Sequence, residues 1–221
     1  MTNKQNLYSN NTKKKLILIY ERLFRRFGPQ HWWPGNTPFE VAIGAILTQN
    51  TNWQNVERAI NNLKSARALS AAAIRKIPEE ELAGLIRPSG YFRQKAGRLK
   101  IFVDFLYKHY RGGIAAMKKD DPAWLRKKLL SVKGIGPETA DSIILYAVEK
   151  PVFVVDAYTK RVLLRHGLID QKAGYNEIQE LFHGNLQANE EMYNEYHALF
   201  VRVCKEFCRK KAHCEGCPLE G

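Results

Sequence analysis

The chain predicts an all-α protein, and three observations carry that prediction. Apolar residues recur at intervals of three and four through most of its 221 residues, the spacing that lines one face of a helix. Breakers such as Gly28-Pro29, Pro88-Ser89-Gly90, Gly112-Gly113 and Asp121-Pro122 fall between those stretches rather than inside them, as helix stops and starts require. The single β-branched run, Val152-Phe153-Val154-Val155, is short and solitary, and a strand without partners makes no sheet.

Taken in order, residues 1–11 are polar and read as loose chain. From Lys13 to Phe27, Leu16, Ile19, Tyr20, Leu23, Phe24 and Phe27 share one side and Lys and Arg take the others, an amphipathic helix stopped by Gly28-Pro29. The next stretch, Gln30 to Pro38, is rich in breakers yet holds Trp32 and Trp33. A helix is expected from Phe39 to about Thr48, with Val41, Ile43, Ala45, Ile46 and Leu47 apolar, before the polar tetrad Gln49-Asn50-Thr51-Asn52. Trp53, Val56, Ile60 and Leu63 resume the helical period, followed by short helices over Ser70–Ile77 and Glu79–Ile86. Three glutamates after Pro78 suit the positive end of the second. Phe92 to Tyr110 forms one long basic helix after the Arg87–Tyr91 turn. Asp121-Pro122 then opens a helix whose apolar side is Trp124, Leu125, Leu129 and Leu130. A turn at Gly134-Ile135-Gly136 leads to a second helix running to about Glu149, and helices resume over Ala157–Arg165, Tyr175–Phe182 and Glu190–Cys208. There is no internal repeat and no low-complexity linker.

A hydrophobic content of 45% is enough for a substantial core. Thirty-five Lys and Arg against 22 Asp and Glu leave a formal charge of +13, which favours a polyanionic partner, nucleic acid first. The N-terminus lacks the apolar core of a secretion signal, and no stretch approaches the roughly 18 apolar residues of a membrane span. A soluble, cytoplasmic protein without a membrane partner is expected, associated with the nucleoid in a bacterium. All four cysteines lie between 204 and 217, unlike a disulfide framework and like a metal site.

Three constellations carry chemistry. At Lys133-Gly134-Ile135-Gly136-Pro137, the glycines allow a tight turn, Pro137 opens a helix, and the exposed amides with Lys133 and the Thr139 hydroxyl could meet a phosphodiester. The plain alternative is an ordinary helix-helix corner with a glycine cap. Thr139 stands where a GxGxxG loop would have its third glycine, which argues against a nucleotide-cofactor loop. Asp156 ends the apolar run and so meets partly desolvated surroundings. It is both a favoured helix cap and a carboxylate able to stabilise an oxocarbenium-like sugar or orient a water. Cys204, Cys208, Cys214 and Cys217 have three, five and two residues between them, a thiolate set that suits an iron-sulfur cluster or tetrahedral zinc.

Residues 132–156, VKGIGPETADSIILYAVEKPVFVVD, together with PFEVAIGAILTQNT, the PSGYFRQKA turn and the terminal cysteines, resemble the endonuclease III superfamily of helix-hairpin-helix DNA glycosylases. The resemblance implies a two-lobed fold: a six-helix barrel over residues 30–150, and a second lobe from 1–29 and 151–221 carrying the cysteine loop. It further implies double-stranded DNA with one damaged nucleotide flipped out as the partner of a monomeric protein. Asp156 matches the catalytic aspartate. Gln49 would fill the gap left by the flipped nucleotide, and Lys133, Gly134, Gly136 and Thr139 would hold the backbone. Members that also cleave the strand carry a lysine at the position of Glu138, and a glutamate cannot form their Schiff base. A monofunctional glycosylase follows.

Within the superfamily, the Trp-Trp-Pro loop and Gly-Ile-Gly-x-Glu-x-Ala-Asp are most similar to the endonuclease III-type 3-methyladenine DNA glycosylases. That similarity assigns Trp32, Trp33, Pro34 and Glu138 to the base pocket, where rings would stack on a cationic alkylated base. Without it, the adjacent tryptophans read as packing. Cys208, Cys214 and Cys217 resemble the first three ligands of the family's [4Fe-4S] cluster with one residue removed, the fourth is missing, and Cys204 would complete the set; zinc is the alternative. Lys205, Arg209, Lys210 and Lys211 make the loop basic. Two rival readings share these features: a glycosylase for uracil, mismatched thymine or oxidised bases, and a non-catalytic DNA-binding iron-sulfur protein in which Asp156 only caps.

Overall fold

A computed structural model describes residues 10–220. Among these there is no β-strand, and no helix is long and apolar enough to cross a membrane. The described chain divides into two compact units, one from the residues up to Trp32 together with those from Pro151 onward, the other from Trp33 to Lys150.

Helix α1 (Asn10–Phe27) buries Leu16, Ile19 and Leu23. It begins before Lys13, so Asn10 and Asn11 of the stretch read as loose are helical; the rest of that stretch lies outside the described residues. In the Trp33–Lys150 unit, Thr37 caps α2 (Pro38–Leu47) by accepting from the Glu40 amide at 3.1 Å. Every residue from Glu40 to Leu47 is buried, so α2 is the core helix of this unit. The one charge on it, Glu40, is paired with Lys64 at 2.6 Å. Asn52 caps α3 (Trp53–Ser65) and Ser70 caps α4 (Ala71–Lys76) in the same way, each accepting from the amide three residues on. Helix α5 (Glu79–Leu85) and α4 pack along α6 (Phe92–Tyr110).

Asp121 caps α7 (Pro122–Leu130) through the Ala123 and Trp124 amides. Only Leu125 and Leu129 of the expected apolar side are buried; Trp124 is 50% and Leu130 37% exposed. Trp124 instead lies under the Lys127 and Lys128 ammonium groups, 5.9 and 5.2 Å from its ring. The second hairpin helix, α8 (Pro137–Ser142), is shorter than the periodicity predicts, because the chain from Ile143 to Ala147 winds as a π-turn. The wider turn brings all five of its residues inward, where they pack against α2.

In the other unit, Val152–Val155 is extended and buried without being a strand. Its backbone groups are satisfied by side chains of α10 (Tyr175–His183), which follows α9 (Ala157–Arg165). His183 Nε2 accepts from the Phe153 amide at 2.9 Å, Gln179 Nε2 donates to the Phe153 carbonyl at 2.7 Å, and the Tyr175 hydroxyl accepts from Val155 N at 3.3 Å. Helix α11 (Glu190–Glu206) supplies the centre of the core with Tyr193, Tyr196 and Phe200. Phe153 and Phe182 stack at 3.6 Å, with Tyr196 edge-on to both, and the Tyr196 hydroxyl donates to the Leu16 carbonyl of α1 at 2.8 Å. α11 stops at Glu206, short of the expected Cys208, whose amide bonds back to Val203 O.

Candidate functional site

The hairpin is held from three sides. Val132, Ile135 and Ala140 are buried between α7 and α8, and Arg126 reaches Asp141 through two hydrogen bonds of 2.7 and 3.2 Å, fixing one helix to the other. Gly134 adopts φ +89°, and a Cβ there would stand 2.6 Å from Arg98 Cγ, so conformation and space both require glycine. Gly136, with φ −92° and open space around it, needs neither freedom. Lys133, Gly134, Gly136 and Glu138 are exposed while Thr139 is buried. The amides of Gly134 and Gly136 make no backbone hydrogen bond among the described residues.

Gln49 does not project freely from its polar tetrad. Its Nε2 donates to the Gly134 carbonyl at 3.0 Å and to Thr139 Oγ1 at 2.9 Å, and its Oε1 accepts from Arg98. The end of α2 and the hairpin are thereby one assembly. Beneath it the wholly buried Lys95 donates to Leu47 O at 2.8 Å and Ser89 O at 2.6 Å. Burial, then the Arg98 charge, lowers its pKa to about 8.

Asp156 is the N-cap of α9, accepting from the Thr159 amide at 2.7 Å. Its Oδ2 lies 3.5 Å from Nε2 of the buried His197, a separation at the outer edge of a hydrogen bond where attraction is mainly electrostatic. Burial raises the carboxyl, but His197 and the Thr159 donors outweigh it, leaving it below the ordinary aspartate value. An ionised carboxylate in surroundings this dry can stabilise a developing cation or hold a water for attack.

Trp33 packs edge-on to Trp53 at 5.2 Å and against Tyr146 at 5.1 Å, and its indole lies over Gly44, where any Cβ would be 3.3 Å from Nε1. Trp32 is half-buried in the unit built from both chain ends, and Pro34 is exposed. A pocket of about 250 Å³ runs past Pro34 and Trp53 over the Glu40–Lys64 pair, but Trp32, Trp33 and Glu138 do not line it.

Of the four cysteines, Cys204 and Cys208 are neighbours: the Cys204 thiol donates to the Tyr158 carbonyl at 3.7 Å, and Cys208 accepts from Arg165 Nη1 at 3.0 Å. The adjacent Cys204, then Arg165, push Cys208 down to about 6 against its burial. Cys217, raised first by burial, feels the charges of Cys208 and Cys214, and Cys214 is exposed. Among the described residues no three Cys, His, Asp or Glu side chains converge into a group that could hold a metal ion. The donor set nevertheless fits a thiolate-bound metal or cluster: two cysteines near enough to shift each other's pKa, with Arg161 and Arg165 beside Cys208 to offset charge.

Sequence reasoning missed Arg98, His197, Trp53 and Tyr146. Each was legible as a helical residue, but no local signal pairs it with a partner so far along the chain.

One unit holds a glycine hairpin braced onto a core helix, and the other a capped, ionised aspartate after a buried extended run. A family model for the HhH-GPD superfamily of base excision DNA repair proteins matches residues 43–188. The putative DNA repair glycosylase of Methanocaldococcus jannaschii is 50% identical over 211 residues, 95% of this chain and 96% of that one. The crystal structure of H. pylori 3-methyladenine DNA glycosylase bound to 1,N6-ethenoadenine is similar at TM-score 0.74 and 30% identity, over 88% of this chain and 97% of the other. A trapped endonuclease III–DNA covalent intermediate gives TM-score 0.80 over 94% and 93% of the two chains; at 21% identity that likeness concerns the fold alone. The chain belongs to the HhH-GPD superfamily of base excision DNA repair proteins, and its expected kinship with endonuclease III holds.

Proposed function

We propose that the protein is a monofunctional DNA glycosylase acting on an alkylated, 3-methyladenine-like base in double-stranded DNA. The observation that carries this reading is Asp156, a mostly buried carboxylate kept ionised by Thr159 and His197 at the head of α9. Such a group stabilises the oxocarbenium-like sugar as the bond to the base breaks, and orients the water that replaces the base. A purine nucleotide methylated at N3 is already cationic, and its base leaves without a proton donor. The hairpin amides and Lys133 hold the backbone.

Glu138 supports the monofunctional part, since a carboxylate has no amine with which to form a Schiff base. The 30% identity to an enzyme that carries 1,N6-ethenoadenine supports the alkylated-base part, as does the ring cluster of Trp33, Trp53 and Tyr146. Cys204, Cys208, Cys214 and Cys217 would hold a [4Fe-4S] cluster or zinc. Such a group supplies a cross-link that shapes the basic segment from Lys205 to Lys211, and no step of the reaction.

The test is a panel of duplexes carrying 3-methyladenine, 1,N6-ethenoadenine, uracil or 8-oxoguanine, each sampled before and after alkali. Breaks after alkali on the alkylated duplexes alone are expected. Breaks before alkali would contradict the monofunctional reading, and release of only uracil or 8-oxoguanine would contradict the substrate.

A further inference from the structure

Arg98 touches both the hairpin turn and the end of α2. Its stem lies against Gly134, and its guanidinium donates to Gln49 Oε1. Among the described residues that is its one polar contact, and no carboxylate pairs with it. A guanidinium offers five N–H donors in a fork that fits phosphate, so most of its capacity is unspent. Another cation, Lys95, lies close enough for the Arg98 charge to help lower its pKa. Two cations therefore lie together near the end of α2, beside the exposed turn.

We propose that Arg98 is a positioning residue for Gln49: in the DNA-free protein it clamps the Gln49 amide onto the hairpin, and a DNA backbone phosphate that takes the guanidinium releases it. The proposal rests on the reading of the hairpin as a DNA grip. The exchange is chemically favoured, because Arg–phosphate contacts are charge-assisted and can be bidentate, whereas the amide oxygen is a neutral acceptor taking one bond. Once Arg98 turns away, Gln49 keeps only two bonds, to Gly134 O and Thr139 Oγ1, and its amide is free to exchange them for base edges. Backbone contact and release of the side chain at the end of α2 thereby become one event.

Arg98→Met keeps the stem under Gly134 and removes the fork, which separates the clamp from simple packing. Two measurements on the full-length protein test it. In the first, duplex affinity is followed against salt. Each phosphate neutralised contributes about 0.9 to the slope of log K against log salt, so Arg98→Met lowers the slope by roughly that amount and Gln49→Ala leaves it unchanged. In the second, urea midpoints are taken without DNA for both single variants and the double variant. The clamp requires the two substitutions to be less than additive, because either one breaks the same bond. An unchanged slope in Arg98→Met, or additive midpoints, overturns the proposal. Lys133→Ala distinguishes the two layers: a slope lowered there but not in Arg98→Met discards the clamp and keeps the DNA grip, whereas wild-type protein with no salt-dependent duplex binding removes the grip itself.

Discussion

At the scale of single residues, the proposed chemistry rests on Asp156 and its neighbour His197. The folded carboxyl lies below the ordinary value of 3.8, so its contribution to stability is present above 3.8 and is lost as pH falls through the lower folded value. Base release should accordingly persist at pH 5 and decline only in stronger acid. His197→Gln removes the largest of the effects that hold the carboxyl down while leaving the burial that pushes it up. The acid limb of the pH–rate profile should move to higher pH in that variant, and an unmoved limb would take His197 out of the site. At Glu138, exposed near the start of α8, substitution to Lys restores an amine where strand-cleaving relatives are expected to carry one. A borohydride-trapped cross-link to alkylated DNA should appear in Glu138→Lys and be absent from the unaltered protein. Asp156 was legible in the sequence because it ends an apolar run and caps a helix, and Glu138 only through the resemblance, which marks its position. His197 was not, since an imidazole in the middle of α11 looks like any other buried helical position.

At the scale of elements, the ladder of side chains from α10 onto the Val152–Val155 run is what aims Asp156. Gln179 is buried, and Gln179→Ala leaves the Phe153 carbonyl without that donor, so a loss of about 1–3 kcal/mol is expected in urea denaturation. Lys95→Met strands two carbonyls, Leu47 O and Ser89 O, at the end of α2. A loss of similar size is expected there, together with weaker duplex binding because Gln49 follows directly. A stability unchanged within about 0.5 kcal/mol would show either side chain to be dispensable. Helix starts at Asp121 and Asp156 were legible, each a capping oxygen before an apolar period, while Thr37, Asn52 and Ser70 cap their helices without having been read as caps. The π-turn at Ile143–Ala147 was not legible. Its residues are apolar throughout, and a run without polar punctuation carries no information about which way the helix winds. The extended run was seen as too solitary for a sheet, yet the pairing of its backbone with His183, Gln179 and Tyr175 depends on side chains that only the fold brings near.

At the scale of the whole molecule, an excess of 13 positive charges and the exposed turn amides argue that DNA affinity is largely electrostatic. Log K for an undamaged duplex should fall linearly with log salt, at about 0.9 per phosphate neutralised. The same charge was the first global clue in the sequence, and it pointed to a partner without indicating the reaction. The reaction is read from Asp156, and one measurement addresses it most directly. Single-turnover base release from a 3-methyladenine duplex is compared for the unaltered protein and Asp156→Asn, with duplex affinity measured in parallel. Asparagine keeps the size and an oxygen able to cap α9, but not the charge. Expected are alkali-labile sites from the unaltered protein, a loss of at least about 100-fold in Asp156→Asn, as when an electrostatic stabiliser is removed, and affinities that agree within a few fold. Full release by Asp156→Asn would contradict the account.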